Sequence, residues 1–424
     1  MSSIQTDKTH TFLSQFDATA GMPAAPARQE AIGALSEIDI PTIRTEQWRY
    51  SSLKPLTNMQ LKPAANFPES DWAQYEVPNL ETDRVVFVNG KYQPQLSDLS
   101  KNDDEVCVCH LSELDGACSA AFEAHMGELA TADKDVFTAI NTAYASEGLV
   151  IRAMRDKQVP YPIHIIHINE GDSNFYTQVR NLVIAEPGSE VKLIESFVGH
   201  EIAFRNHVDE IIVGEKANLE WIKFQHESDE AITINRTEVK QADNSKCSVF
   251  TLAFSGKLVR NNFHLHLNGE NTESHVMGLS LLDNDQHVDN FTSIDHREAN
   301  CFSNELYKGI FNDSASGAFR GRIHVFPDAQ KTNAFQTNRN ILLSDDASID
   351  TKPQLEIYAD DVKCSHAATT GRIEKDALFY LQARGIPELE ANKLMIQAFA
   401  GEVSQEISME PVQEYVDGLI AGRF

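Results

Sequence analysis

The sequence predicts a mainly β fold, a β-solenoid flanked by helical regions at its amino and carboxy ends. Three observations predict it. Between about 160 and 365 helical periodicity is lost, and strands rich in Val, Ile, Phe and Thr alternate with polar turns. Those turns resemble one another: AEPGSEVKL, VGEKANLEW, QADNSKCSV, NGENTESHV, NDSASGAFR and SDDASIDTK. Aligned on Ser189, Ala217, Ser245, Thr272, Ser316 and Ala347, they advance by three steps of roughly 28 residues, one of about 44 and one of about 31. A rung of that size cannot bury its inner face alone, so it stacks on its neighbours. An antiparallel sandwich, with hairpin turns roughly every 8–12 residues, stays open as the alternative. The chain divides into a mixed amino-terminal region (1–155), the repetitive core (156–370) and a carboxy-terminal helical region (371–424).

Residues 1 to about 80 read as helical and irregular, with Pro and Ala in GMPAAPARQEAIGAL and with Trp48 and Tyr50 beside Arg44 and Arg49. RVVFVNGKYQPQL (84–96) reads as a hairpin around an Asn89-Gly90 turn. EVCVCHLSEL is a short apolar strand. DKDVFTAINTAYASEG puts Val136, Phe137, Ile140 and Tyr144 at helical spacing and stops at Gly148, and LVIRAM follows as a strand. Beyond 371, GRIEKDALFYLQARG ends on Gly385, placed as a C′ cap, and Pro387 opens the next helix. There Ala391, Leu394, Met395, Ala398 and Phe399 form one apolar stripe. Pro411 opens the last helix, with Val412, Tyr415, Val416, Leu419 and Ile420 on the same pattern. Such helices either fold back and cap the solenoid or offer an apolar face to a partner protein.

Composition narrows the function. The balance of 36 basic and 63 acidic residues gives a net charge of −27, which disfavours nucleic acid and anionic membranes as partners. No run approaches the roughly eighteen apolar residues of a membrane span. The start, MSSIQTDKTHTFLSQF, lacks a basic stretch followed by an apolar one, so the expected location is cytoplasmic. Six cysteines are too few for a disulfide scaffold. There is no phosphate-binding GxxxxGK[ST], since FSGKLV lacks the first Gly and the hydroxyl after Lys257. GxGxxG on a strand–helix unit, HExxH and CxxC are also missing from the sequence. The expectation is a chain that is not itself an enzyme and binds no nucleotide.

The pair that draws attention is Cys364 and His366 in LEIYADDVKCSHAATTG, at the seam between solenoid and helices. In an extended segment, residues two apart point to the same side. A thiol and an imidazole then make half of a tetrahedral metal site. Either this is no site, or a second subunit supplies the remaining ligands and the site is labile, suited to passing iron on. Cys107-Val108-Cys109-His110 reads instead as a buried strand whose cysteines pack as small hydrophobes. His264, His266, His275, His287 and His296 read as solvated or internally satisfied, and Cys118, Cys247 and Cys301 as isolated.

KTNAFQTNRNILLSDDASIDTKPQLEIYADDVKCSHAATTGRIEKDALFYLQARGI (331–386) resembles the signature region of the SufB/SufD family of iron–sulfur cluster assembly proteins. RTEQWRYSSL and DVFTAINTAYASEGLVIRAM resemble the family's amino-terminal segments, so the likeness spans nearly the whole chain. Within the family it is similar to the SufD branch. SHAATT stands where SufB proteins carry EHEATT, with His366 at a Glu position, and Ala347 occupies the place of the SufB scaffold cysteine. The resemblance implies a right-handed parallel β-helix that pairs with a SufB-like paralogue through the β-helices. Its carboxy-terminal helices would bind a SufC-like ABC-type ATPase, whose hydrolysis of ATP remodels the paired interface. Phe379, Tyr380, Leu394, Met395 and Phe399 are then the expected ATPase contacts. His366 and Cys364 are the expected cluster-forming and interface residues, with iron or a nascent cluster held transiently and shared with the partner. A homodimer of the isolated chain is a further expectation. Two other readings are a SufB-type scaffold that carries cluster alone, and a β-helix polysaccharide lyase or hydrolase.

Overall fold

The computed structural model describes residues 9–16, 25–102, 104–114, 116–133 and 135–423; the first eight residues and part of the Pro/Ala-rich stretch lie outside these residues. Two sheets of ten strands each face one another, and along each the neighbours alternate in sequence, so the chain crosses from one sheet to the other at every half-turn. The pairings within both stacks are parallel from Ile163 onward. This is a β-solenoid of about eight turns, and the sandwich alternative is set aside.

The corners explain why the turns look alike. Ser189, Ala217, Ser245 and Thr272 each follow a residue in the left-handed region: Gly188, Lys216, Asn244 and Asn271. The series then continues at Cys301 after Asn300 and Thr332 after Lys331. Ser316 and Ala347 belong to the opposite corner, where Ser316 pairs with Ser348. The long fourth step of the sequence alignment therefore jumped from one corner to the other, because both are short, polar and Ser/Asn/Asp-rich.

Inside, the register stacks like on like. Leu355, Ile323, Ile294, Leu265, Val239, Ile211, Val183 and Ile151 form one file through the first sheet. Asn235, Asn261 and Asn290 form another, each amide within 2.9 Å of the next. Repetition makes this arrangement self-consistent: a buried amide needs a partner, and the next rung supplies the same group at the same height.

Helices and loops cover the two outer faces. Trp48, Leu56, Phe137, Ile140 and their neighbours pack on Phe204, Ile232, Ile234 and Leu258 of the first sheet. Glu210 anchors this layer by accepting backbone N–H bonds from Gly127, Leu129 and Ala130 at 2.8–3.0 Å, while Arg180 pairs with it at 2.6 Å. The hairpin forms as expected, strand Asp83–Val88 returning through Lys91–Tyr92. Its Asn89 and Gly90 both have positive φ (50° and 76°), as a type I′ turn requires. The helix Val136–Tyr144 and strand Leu149–Ala153 also form.

The last helices, Lys375–Ala383, Glu388–Ser404 and Glu410–Arg423, begin and end within a residue or so of the sequence signals. Gly385 takes φ +89°, and the bonds Gly385 N–H to Gln382 O and Ile386 N–H to Leu381 O complete a Schellman cap. Ile396, Ala400, Val403, Val412, Val416 and Ile420 pack on Ile222, Phe224, Phe250, Leu252 and Leu279. Those strand residues face outward from the middle rungs of the second sheet. The helices therefore lie along the side of the solenoid and do not cap its end.

Candidate functional site at the open end

The stack of the second sheet ends at Lys363–Gly371 and that of the first at Ser348–Ile357. Nearly every residue of Lys363–Gly371 is exposed, because no further rung covers it. Cys364 and His366 both lie on this strand. Cys364 continues the file Ala334, Ser303, Ser274 and Cys247; His366 continues Gln336, Glu305, Val276, Val249 and Trp221. All of those underlying residues are buried. The thiol and the imidazole thus occupy interior positions of a rung whose outer neighbour is absent from the chain. Cys364 is half-buried, and burial pushes its thiol up, against a backbone hydrogen bond at Ala334. His366 is exposed.

The backbone at this edge follows a rule. Lys363 N–H bonds to Thr332 O at 2.9 Å. In a parallel ladder alternate residues bond to the same neighbour, so the peptide groups of residues 364, 366, 368 and 370 point away from the stack. On the first sheet, Ser348 and Tyr358 donate inward to Ala315 and Val325, at 3.1 and 2.9 Å. The outward set there includes position 353, which is a proline. Pro353 has no N–H to offer and blunts that edge, as prolines on natural edge strands do. Lys363–Gly371 has no proline and leaves its edge open to pairing.

Below His366 lies a buried acid. Glu305 accepts from Gln336 Nε2 at 2.6 Å, and burial raises its pKa to about 7, with Thr292 and Gln336 opposing the rise. Sequence reading missed it, since a Glu on a strand ordinarily faces water.

A second polar group sits deeper. His167 Nε2 and His207 Nε2 each lie 3.1 Å from Glu195 Oε1, and His207 is 2.9 Å from Asp209. Lys223 pairs with both carboxylates. The three ligand atoms of His167, Glu195 and His207 lie within 4.8 Å of one another. Burial pushes His167 down to about 4, with Glu195 partly opposing it. For His207 burial acts in the same direction, but the Asp209 and Glu195 carboxylates outweigh it and raise the pKa. Lys223 and the two histidines thus face both carboxylates, while His167 Nδ1 and His207 Nδ1 find no hydrogen-bond partner among the described residues. Of the histidines singled out in the sequence, four make a hydrogen bond within the chain through at least one ring nitrogen: His266 to Glu238 at 2.8 Å, His275 to Glu273 at 2.8 Å, His287 to Ser316 at 2.7 Å and His296 to Ser303 at 2.8 Å; His264 lies 3.9 Å from Glu238. Cys247 and Cys301 are buried and separate, but Cys118 is not isolated, because its sulfur meets that of Cys107. The strand Val106–His110 buries only its two ends, leaving Cys107, Val108 and Cys109 half-buried.

On the flanking helices, Phe379, Tyr380 and Leu394 are 71%, 58% and 44% exposed. Met395 is half-buried. Phe399 packs towards the solenoid, where Lys308 Nζ lies 4.2 Å from its ring and 2.7 Å from its carbonyl oxygen. The stripe read as one apolar face is thus divided between the sheet and solvent. No helix among the described residues is long and apolar enough to cross a membrane.

Comparison with known proteins places this architecture. Residues 167–399 match the SufBD core domain of the SUF system of FeS cluster assembly, and residues 14–165 match the SufBD amino-terminal region. An iron–sulfur cluster assembly SufBD family protein of Synechocystis is 31% identical over 400 residues, covering 91% of this chain and 88% of the relative. The iron–sulfur cluster assembly protein SufD of Escherichia coli is 30% identical over 410 residues, covering 95% and 94%. SufD of Bacillus subtilis is 30% identical over 295 residues, covering 68% and 67%. These matches leave no place for the polysaccharide lyase reading: the parallel solenoid lies almost wholly within the matched core domain, and the two matches together make the chain a member of the SufBD family of iron–sulfur cluster assembly proteins.

Proposed function

We propose that this chain is a SufD-type, non-enzymatic subunit that pairs with a SufB-like paralogue and a SufC-like ABC-type ATPase in the cytoplasm. The observation that carries the reading is the open end. A solenoid whose last rung exposes interior positions and unpaired peptide groups suits a second solenoid laid against it by strand addition. In such a pair Cys364 and His366 face groups from the partner, and iron or a nascent cluster is cargo held between the two chains. A thiolate and an imidazole are reasonable ligands for iron, and two of them alone hold it weakly. Phe379, Tyr380, Leu394 and Met395 form the contact for the ATPase, with Phe399 anchoring the helix from below. The carboxy-terminal region 371–424 is then a partner-binding unit, distinct from the solenoid core 156–370 and the amino-terminal region 1–155. Nucleotide binding belongs to the ATPase and not to this chain.

Co-expression with SufB and SufC partners tests it. Ala368→Pro removes an outward N–H without touching the ladder to the preceding strand, and it should release the SufB partner on size exclusion. His366→Ala and Cys364→Ala should leave the complex assembled while cluster absorbance falls. Normal cluster yield in His366→Ala, or an intact complex in Ala368→Pro, would reject the assignment of that residue. A SufB-type scaffold would instead hold cluster as an isolated chain after anaerobic reconstitution.

A further inference from the structure

A three-cysteine cluster lies at the opposite end of the molecule from Cys364. The strand Val106–His110 runs antiparallel to Leu149–Ala153 at the margin of the first sheet. Alternation turns Val106, Val108 and His110 towards the solenoid interior and Cys107 and Cys109 to the outer face. The helix Gly116–His125 packs over that face and brings Cys118 in from its first turn. Cys107 Sγ lies 3.4 Å from Cys109 Sγ and 2.9 Å from Cys118 Sγ, and all three sulfurs lie within 4.8 Å of one another. Phe122, Val150, Leu182 and Ile184 form an apolar floor. Cys118 is fully buried, while Cys107 and Cys109 are half-buried and reach solvent on one side.

We propose that Cys107, Cys109 and Cys118 form a three-thiolate site for a thiophilic d10 cation, zinc(II) or copper(I). Sulfur ligands select these ions over magnesium or calcium, which require oxygen. Tetrahedral zinc, with Zn–S near about 2.3 Å, sets its sulfurs about 3.8 Å apart, so Cys109 and Cys118 each need to draw back from Cys107 by less than about 1 Å to hold the ion. The half-buried side leaves the fourth position to water. Burial, and then the adjoining thiols of Cys107 and Cys109, push the Cys118 thiol up. On binding, each thiol releases its proton to solvent and no electron is transferred. The site is separate from Cys364 and rests on no assumption about cluster assembly.

The test uses the full chain, reduced and stripped of metal, titrated with zinc(II) in competition with a chromogenic chelator. Wild type should take up one equivalent and melt at a higher temperature with it. Cys109→Ser, at a half-exposed position, should fold normally and weaken zinc more than about a hundredfold, and Cys118→Ala should do the same. Cys364→Ala should bind as wild type does. Cobalt(II) should give a thiolate charge-transfer band in wild type and in Cys364→Ala, and a much weaker one in Cys109→Ser and Cys118→Ala. Reduced wild type binding no more zinc than Cys109→Ser would overturn the proposal. So would zinc uptake that disappears in Cys364→Ala. Formation of a Cys107–Cys118 disulfide in air with no zinc uptake by the reduced chain would also overturn it, in favour of a redox pair.

Discussion

The two ends of the solenoid are finished differently. At the amino-terminal end both sheets close with antiparallel strands, Val106–His110 on one and the two-residue Lys91–Tyr92 on the other. A short or reversed edge strand discourages further pairing. At the carboxy-terminal end both sheets stop on full-length parallel strands of ten and nine residues. One of these is blunted by Pro353 and the other, carrying Cys364 and His366, is left open. The difference teaches where the chain spends its stability. The closed end has paired buried groups and tight backbone packing, whereas the last strand of the open end is exposed along nearly its whole length.

Substitutions in the closed half should be the most damaging. Lys223 neutralises Glu195 and Asp209 inside the solenoid. Lys223→Met strands their charge and should cost about 3–5 kcal/mol, read by urea unfolding; a loss under about 1 kcal/mol would mean the network is not worth its burial. Next is Gly148, with φ +149° and a hypothetical Cβ only 1.9 Å from the Arg180 carbonyl oxygen. Gly148→Ala should destabilise by about 3 kcal/mol or more, and an unchanged melting temperature would show that this end is as loose as the other.

Glu305 lies two rungs inside the open end and sharpens the contrast through pH. Its pKa is raised from 4.5 to about 7, so the protonated form is the one the fold favours. That contribution is fully present below about 4.5 and is lost as pH rises through about 7. Glu305→Gln, neutral at every pH, should therefore flatten the decline in stability over this window and melt higher than wild type at pH 8. Parallel pH profiles for the two proteins would contradict the assignment. The smallest effect belongs to Gly371, on the open strand, where an added Cβ meets nothing within 4 Å. Gly371→Ala should stay within about 0.5 kcal/mol of wild type. A larger loss in the isolated chain would show that something does pack there.

Much of the site was legible because it is local. Cys364 and His366 are two apart on a strand, and Gly385 is a cap whatever surrounds it. What could not be read was adjacency across rungs. Glu305 lies in His366's file, two rungs in, beyond Gln336, and Cys118 meets Cys107 through a helix laid over a sheet. No spacing rule in sequence encodes either contact.

Periodicity, turn chemistry and the apolar alternation determined by themselves that this chain stacks rungs and ends in amphipathic helices. These features arise from interactions within a few residues or between equivalent positions of a repeat. Tertiary structure alone decided which end stays open, which corner each turn belongs to, and that the last helices flank the second sheet. Those outcomes depend on which surfaces compete for the same apolar partner, and that competition is settled only when the whole chain is folded.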